Sequence, residues 1–141
     1  MVTRFEGSEI FSASPERILL LINNFESYKD FLPGCLESTR LPNSQKDYVS
    51  GRMVFSVLNN SYEFESNNKT SGYEVSINQS KGPFKNFHAL WTLESIDVNQ
   101  TRVTFKTKFT LPFFLKMIAT QSVIDKIGKK LINAFAEELS K

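Results

Sequence analysis

The sequence predicts an α+β domain in which a curved antiparallel sheet wraps around one long C-terminal helix. The chain has 141 residues, the size of one domain, so residues 1–141 are expected to form a single unit. Apolar residues alternate with polar ones from about residue 35 to residue 111, which is typical of strands with one dry face. The last segment instead carries apolar residues at helical spacing.

Two short helices are predicted between the first strand and the rest of the sheet. The first strand signal covers about residues 2–12. Ser14 is a preferred helix N-cap and Pro15 suits the first helical position, so a helix begins there and ends near Asn23. A second short helix is indicated by three aromatic residues spaced by three, Phe25, Tyr28 and Phe31. Pro33 follows and ends this helix.

The middle of the chain predicts consecutive strands joined by short turns. Turn signals fall at Asn59-Asn60, Thr70-Ser71-Gly72, Lys81-Gly82-Pro83 and Asp97-Val98-Asn99-Gln100. The clearest alternation places on one face Val103, Phe105, Thr107 and Phe109. Short turns between such strands favour an antiparallel meander with one face in the core and the other in water.

The last segment predicts a single helix from Pro112 to about Leu139. Its apolar positions are Phe113, Met117, Ile124, Ile127, Leu131 and Phe135. At ~1.5 Å per residue, such a helix is on the order of 40 Å long and crosses a whole sheet face. A strongly curved sheet around this helix is the economical way to bury both apolar faces.

Composition excludes several classes of protein. The 17 basic and 15 acidic residues give a net charge of +2, which gives no reason to expect broad nucleic-acid binding. One Cys and one His form neither an internal disulfide nor, alone, a tetrahedral zinc site, so no metal site is predicted. The first residues lack the layout of a signal peptide, and the longest aliphatic run, residues 18–22, is too short to span a bilayer. A cytoplasmic location is therefore expected.

Two local motifs resemble those of a known family. Residues 27–35 read Ser-Tyr-Lys-Asp-Phe-Leu-Pro-Gly-Cys and resemble a Tyr-x-x-Phe-Leu-Pro-x-Cys segment. Gly82-Pro83-Phe84 followed by Trp91 resembles a Gly-Pro-Phe…Trp segment. Both motifs and the order of elements are similar to START-like domains of the polyketide cyclase/dehydrase superfamily. The branch they resemble holds the coenzyme Q-binding proteins of the respiratory chain and bacterial relatives, some named ribosome association toxins.

The resemblance implies a helix-grip fold, and it gives the surplus of rings a second interpretation. Thirteen Phe, four Tyr and one Trp are more than a core of this size obviously requires. Inward-facing rings either fill a plain core or line a pocket for a small apolar ligand, and the resemblance favours the pocket. The expected ligand-binding residues are Leu32, Phe55, Phe64, Phe87, Trp91, Phe105, Phe109, Met117 and Ile124. Thr107 and Ser66, on the inward phase, either orient a quinone carbonyl or satisfy backbone groups.

Other features leave open alternatives. Nothing near Cys35 lowers its pKa, and His88 lies on the outward phase of its strand, so neither is assigned a catalytic role. The rings of residues 113–115 either pack under a strand or form a lip that contacts a membrane transiently. Basic groups on the outer sheet face and on the last helix are solvated, or they contact ribosomal RNA or anionic lipid.

Three functions follow from these interpretations. The first is non-enzymatic binding and chaperoning of a hydrophobic ligand, a prenylated quinone (ubiquinone) in support of respiration, with no cofactor and with a site at the inner membrane face. The second is binding to the large ribosomal subunit that hinders subunit association. The third is a polyketide cyclase or aromatase, which requires a positioned acid or base, and the inward phases offer no His, Asp or Glu for that role.

Overall fold

The computed structural model describes residues 2–42 and 48–141. It contains seven strands: β1 (Thr3–Phe11), β2 (Cys35–Arg40), β3 (Tyr48–Val57), β4 (Asn60–Ser71), β5 (Glu74–Lys81), β6 (Lys85–Asp97) and β7 (Gln100–Thr110). The α-helices are α1 (Pro15–Asn23), α2 (Tyr28–Phe31), α3 (Phe113–Lys116) and α4 (Gln121–Leu139), and a 3-10 turn at Phe25–Ser27 precedes α2.

The strands form one antiparallel sheet with the order β1-β7-β6-β5-β4-β3-β2. Consecutive strands from β2 to β7 are neighbours, and β1 completes the sheet beside β7, with Phe5 opposite Thr107. The predicted fold class is therefore confirmed: a curved sheet, two short helical segments after the first strand and a C-terminal helix. The hairpin between β3 and β4 turns one residue earlier than predicted, because Leu58 and Asn59 both adopt positive φ, as a two-residue turn requires.

Helix α1 begins as the sequence predicts. The Ser14 side chain accepts a hydrogen bond from the backbone N–H of Arg17 at 3.3 Å, and Pro15 occupies the first helical position. The helix buries Ile18 and Ile22. No helix in the described part of the chain is long and apolar enough to cross a membrane.

The prediction of a single helix from Pro112 to Leu139 is wrong. Helix α3 ends at Lys116, and α4 begins only at Gln121, so the long helix spans 19 residues, or about 28 Å at the usual rise. Thr120 explains the new start, because its side chain accepts a hydrogen bond from the backbone N–H of Val123 at 3.3 Å and caps the second helix.

Helix α4 lies directly against β1, and glycine makes this contact close. A Cβ atom added at Gly128 would lie 2.5 Å from the ring of Phe5, and one added at Gly7 would lie 2.6 Å from Ile132 Cδ1. Gly128, Phe5 and Ile132 are all buried. The helix and the edge strand therefore approach more closely than any larger residue at these positions permits.

We expect Gly128→Ala to lower the free energy of unfolding by about 1–3 kcal/mol, because overpacking against the buried Phe5 ring forces α4 away from β1. The direction of this change in stability distinguishes close packing from helix propensity, because a Gly→Ala substitution inside an unconstrained helix raises stability. Urea unfolding followed by Trp91 fluorescence measures the change. The matched control is Asn133→Ala on the exposed face of the same helix, which should be neutral or stabilising. A stabilised Gly128→Ala protein would contradict the close contact.

Candidate functional site: an apolar cavity between sheet and helix

A cavity of about 560 Å³ lies between the concave face of the sheet and the first half of α4. Rings from β3, β4, β6 and β7 form one wall, and α4 forms the other with Val123, Ile124 and Leu131. The loop after α2 and the segment around α3 also line the cavity, through Leu32 and Leu115. Because the walls are almost entirely aromatic and aliphatic, the cavity is suited to an apolar guest.

Most of the residues singled out in the sequence line this cavity. They are Leu32, Phe55, Phe64, Phe87, Phe105, Phe109 and Ile124. The strand alternation identified the inward face correctly, because successive side chains of a strand point to opposite sides of the sheet. Whether these residues bind a ligand stays a prediction.

Trp91 and Met117 lie elsewhere. Trp91 is buried in the packed core, with ring centroids 4.6 Å from Phe105 and 5.0 Å from Phe135, so the second half of α4 fills the space in front of it. Met117 lies in the break between α3 and α4 and is 76% exposed. Its predicted inward position depended on a continuous helix, which the structure does not contain.

Phe84 is a lining residue that the strand alternation missed, because it lies in the loop between β5 and β6. Its ring packs within 6.2 Å, between centroids, of four other rings, those of Phe55, Phe64, Phe87 and Phe109. The Gly-Pro-Phe motif is the feature of the sequence that points to this ring.

The amide of Gln79 holds this loop in place. Its Nε2 donates to the Phe84 carbonyl oxygen at 2.7 Å, and its Oε1 accepts from the Phe84 backbone N–H at 3.3 Å. We call this pair of hydrogen bonds the Gln79 clasp. A Cβ atom at Gly82 would lie 2.3 Å from Gln79 Oε1, so the clasp requires glycine at position 82. The motif is thus explained by packing: glycine admits the amide, and the amide fixes the ring.

Other lining residues also went unpredicted. They include Phe5, Met53, Tyr62, Leu111, Leu115 and Leu131. Tyr62 shares the inward phase of Phe64, and Leu131 has the helical spacing of Ile124, so both could have been found from periodicity. Leu111 and Leu115 are buried together at the end of β7 and in α3, where neither period applies.

Few polar side chains reach the cavity, and the two inward hydroxyl groups singled out in the sequence already have hydrogen-bond partners. The Thr107 hydroxyl lines the cavity and donates to the His88 carbonyl oxygen at 3.0 Å. Ser66 is buried but does not line the cavity, and its hydroxyl donates to Asn68 Oδ1 at 2.9 Å. Both hydroxyl groups therefore satisfy protein acceptors in the folded chain.

Cys35 lies at the edge of the cavity as a buried, neutral thiol. Its Sγ is 3.4 Å from the Glu37 carbonyl oxygen. Burial raises the pKa of this thiol and outweighs the lowering by Ser38 and Lys29. The thiolate is the nucleophilic form, so the site does not activate Cys35 for covalent chemistry.

The cavity mouth is basic. Lys126 and Lys130 of α4 line it, beside the exposed side chains of Leu58 and Ile127. Elsewhere, His88 lies on the outer sheet face with Nδ1 3.0 Å from Asn78 Oδ1. Within residues 2–42 and 48–141, no group of three or more His, Cys, Asp or Glu residues is placed to hold a metal ion.

Comparison with known proteins places this geometry in a family. Residues 11–136 match the family described as polyketide cyclase / dehydrase and lipid transport, which covers every element from the end of β1 into α4. The chain belongs to this polyketide cyclase/dehydrase family.

Relatives of this family member include two proteins named ribosome association toxin RatA. The protein from Vibrio cholerae is 26% identical over 128 residues, which cover 91% of this chain and 89% of the relative. The protein from Escherichia coli is 28% identical over 123 residues, which cover 86% of this chain and 77% of the relative.

Solved structures share the same fold. A Zhui aromatase/cyclase from a Streptomyces species superimposes with a TM-score of 0.86 at 13% identity, covering 99% of this chain and 94% of its own. A START superfamily protein from Mycobacterium smegmatis gives a TM-score of 0.83 at 12% identity, covering 98% of this chain and 97% of its own. At this identity the likeness establishes the fold alone.

We expect Gln79→Ala in this polyketide cyclase/dehydrase family member to release the Phe84 loop and to lower the free energy of unfolding by about 1–3 kcal/mol, because the backbone groups of Phe84 lose their partners. Urea unfolding provides the measurement. The control Gln100→Ala removes an exposed amide from the first residue of β7 and should change stability by less than about 0.5 kcal/mol. Equal stability of the two variants would show that the clasp is dispensable.

Proposed function

We propose that this protein binds a hydrophobic small molecule in the cavity without transforming it, and that a prenylated quinone such as ubiquinone is the ligand. The observation that carries the proposal is the cavity of about 560 Å³ with ring-lined walls. Sites for small apolar ligands have volumes of about 300–1,000 Å³ and are lined by apolar side chains with few polar groups.

Desolvation supplies the binding energy in this proposal. Each methylene transferred from water into the cavity contributes ~0.8 kcal/mol, so a few isoprene units outweigh the cost of ordering the ligand. The volume suits a quinone ring and its first isoprene units better than a complete long tail. Partial enclosure is therefore expected, with the remaining tail at the mouth beside Ile127 and Leu58.

Binding without turnover is favoured by the chemistry of the walls. Among the lining residues in the described part of the chain there is no His, Asp or Glu. The ionisable lining groups are Cys35, Tyr62, Lys126 and Lys130, and Cys35 is a neutral thiol because burial raises its pKa. A cyclase needs a proton donor or acceptor held against the reacting carbon, and the walls offer neither an imidazole nor a carboxylate for that role.

The protein purified from a quinone-producing host should release a quinone on organic extraction, detected by mass spectrometry. Val123→Trp should lower the affinity for added quinone at least tenfold, because the larger side chain occupies the cavity. The matched control, Leu20→Trp, enlarges an exposed position on α1 outside the cavity and should bind as the natural protein does.

Two results would contradict this proposal. One is a lipid-free protein that also fails to take up added quinone. The other is full quinone binding by a folded Val123→Trp protein, because the ligand would then lie outside the cavity. Reproducible conversion of a polyketide-like substrate, lost on Val123→Trp, would replace binding with catalysis.

A second candidate function is association with the ribosome. The specific observation in its favour is that relatives aligned over most of this chain are named ribosome association toxins. The basic groups Arg102, Lys106 and Lys108 on the outer sheet face are candidates for contact with RNA, although Arg102 and Lys106 already lie near Glu94 and Glu6. Association with the ribosome would be consistent with a cytoplasmic location.

Sedimentation with purified ribosomal subunits at two salt concentrations tests this second function. Binding to the large subunit should weaken as salt increases, because phosphate contacts release counterions. The double variant Lys106→Gln/Lys108→Gln should weaken binding at low salt more than Lys69→Gln, a single exposed lysine on β4. The absence of co-sedimentation even at low salt would exclude this function.

A further inference from the structure

An exposed apolar surface borders the cavity mouth. The segment from α3 to the start of α4 presents four large apolar side chains to solvent, which we call the apolar lip: Phe113 (80% exposed), Phe114 (59%), Met117 (76%) and Ile118 (45%). Scattered exposed apolar residues are ordinary, whereas a contiguous group of large ones marks an interaction site. The lip is therefore a candidate contact surface.

The lip is continuous with the wall of the cavity. The ring of Phe114 stacks on Tyr62 with centroids 6.3 Å apart, and Tyr62 lines the cavity. Leu115 and Ala119, four residues apart in the same segment, are buried and also line the cavity. One short segment thus contributes to the cavity wall on its inner side and to the apolar lip on its outer side.

Three lysines lie in the lip segment or line the cavity that it borders. Lys116 lies within the lip segment, and Lys126 and Lys130 line the mouth. Across the described ranges, 2–42 and 48–141, none of these three lysines takes part in an ion pair. The nearest acidic residue on α4, Asp125, accepts a hydrogen bond from Gln121 Nε2 at 2.8 Å. The positive charge of the mouth is therefore free to attract an anionic partner.

We propose that the apolar lip and these lysines dock the protein onto a bilayer that contains anionic lipid. Apolar side chains that enter the interface, flanked by lysines that attract acidic headgroups, are the combination that holds peripheral proteins on membranes. The aliphatic side chains Met117 and Ile118 favour lipid over RNA, because they gain from hydrocarbon but offer no ring face on which a base could stack.

When the apolar lip lies on the bilayer, the cavity mouth beside it faces the membrane. Since Phe114 and Tyr62 stack at the boundary between lip and cavity, a hydrophobic molecule would move between bilayer and cavity along an apolar path. The free energy that opposes its exchange through water is thereby avoided. This deepens the proposed binding function and rests on it for the identity of the cargo.

Vesicle flotation tests the docking surface. The natural protein should float with vesicles of phosphatidylcholine mixed with phosphatidylglycerol, and more weakly with phosphatidylcholine alone. Phe113→Ser/Met117→Ser should reduce binding to the mixed vesicles more than tenfold, because both side chains leave the interface. Lys126→Gln/Lys130→Gln should reduce it by about five-fold per lysine and abolish the preference for anionic lipid.

The matched control is Leu20→Ser/Val98→Ser, because these side chains are 73% and 81% exposed and lie outside the lip and the cavity. This control should float as the natural protein does. Circular dichroism establishes that each variant is folded. Equal loss of flotation in lip and control variants, or no binding of the natural protein to either vesicle, would overturn the proposal.

Two further measurements keep this proposal separate from the others. Quinone uptake in the absence of vesicles should be unchanged in Phe113→Ser/Met117→Ser, since neither residue lines the cavity. If the protein floats with vesicles but takes up no quinone, membrane docking stands and the proposal that the cavity binds a quinone is refuted. Binding to polyuridylate that depends on Lys126 and Lys130, together with absent flotation, would assign the surface to RNA and overturn membrane docking.

Discussion

The close contact between α4 and β1 is the constraint on which the rest of the structure depends. Gly128 and Gly7 bring the helix so near to the edge strand that Phe5 and Ile132 fill the space between them. Since the sheet curves away from β1, a helix seated there cannot also touch β3 and β4 along its first half. The gap that remains is the cavity, so its existence follows from where the helix is anchored.

The anchored helix also divides the aromatic residues into two groups. At the closed end, Phe135 of α4 packs against Tyr28, Phe31 and Trp91 with centroids 5.0–5.7 Å apart. The Tyr28 hydroxyl donates to the Ile22 carbonyl oxygen, and burial raises the pKa of this phenol, so the hydroxyl stays protonated and bonded. The part of α4 that lines the cavity contributes no aromatic ring, and the rings around Phe84 line the open space instead.

This division explains why the fold was more predictable than the site. Period-two alternation identifies the face of a strand, and it placed both Trp91 and Phe109 inward, as the structure does. Alternation does not report where along its strand a residue lies relative to α4. That position decides whether its ring packs against the helix or lines the cavity. That depends on the position of α4, and hence on the tertiary contact of Gly128 with Phe5. The sequence therefore predicted the inward face but could not separate core from lining.

The errors in the C-terminal segment have a similar cause. Apolar residues at positions 113–139 fit one helical period, but Thr120 offers a strong N-cap that starts a second helix. The cap signal was readable in the sequence, and its effect depended on the burial of Leu115 and Ala119 under the sheet. Phe84 was missed for a different reason: its position depends on a side-chain clasp by Gln79, which no periodicity reports.

The polarity of the walls decides more about function than the fold does. Carriers and cyclases share this architecture, so chemistry has to be argued from the groups that reach the cavity. A carbonyl group carried deep into the cavity would lose its water and find the Thr107 hydroxyl already donating to His88 and the thiol of Cys35 beside the Glu37 carbonyl. The donors left to recognise a polar group are the hydroxyls of Ser56 and Tyr62 and the ammonium groups of Lys126 and Lys130. Affinity is therefore expected to come from apolar burial inside and polar recognition from the rim, a distribution that favours holding a molecule over reacting with it.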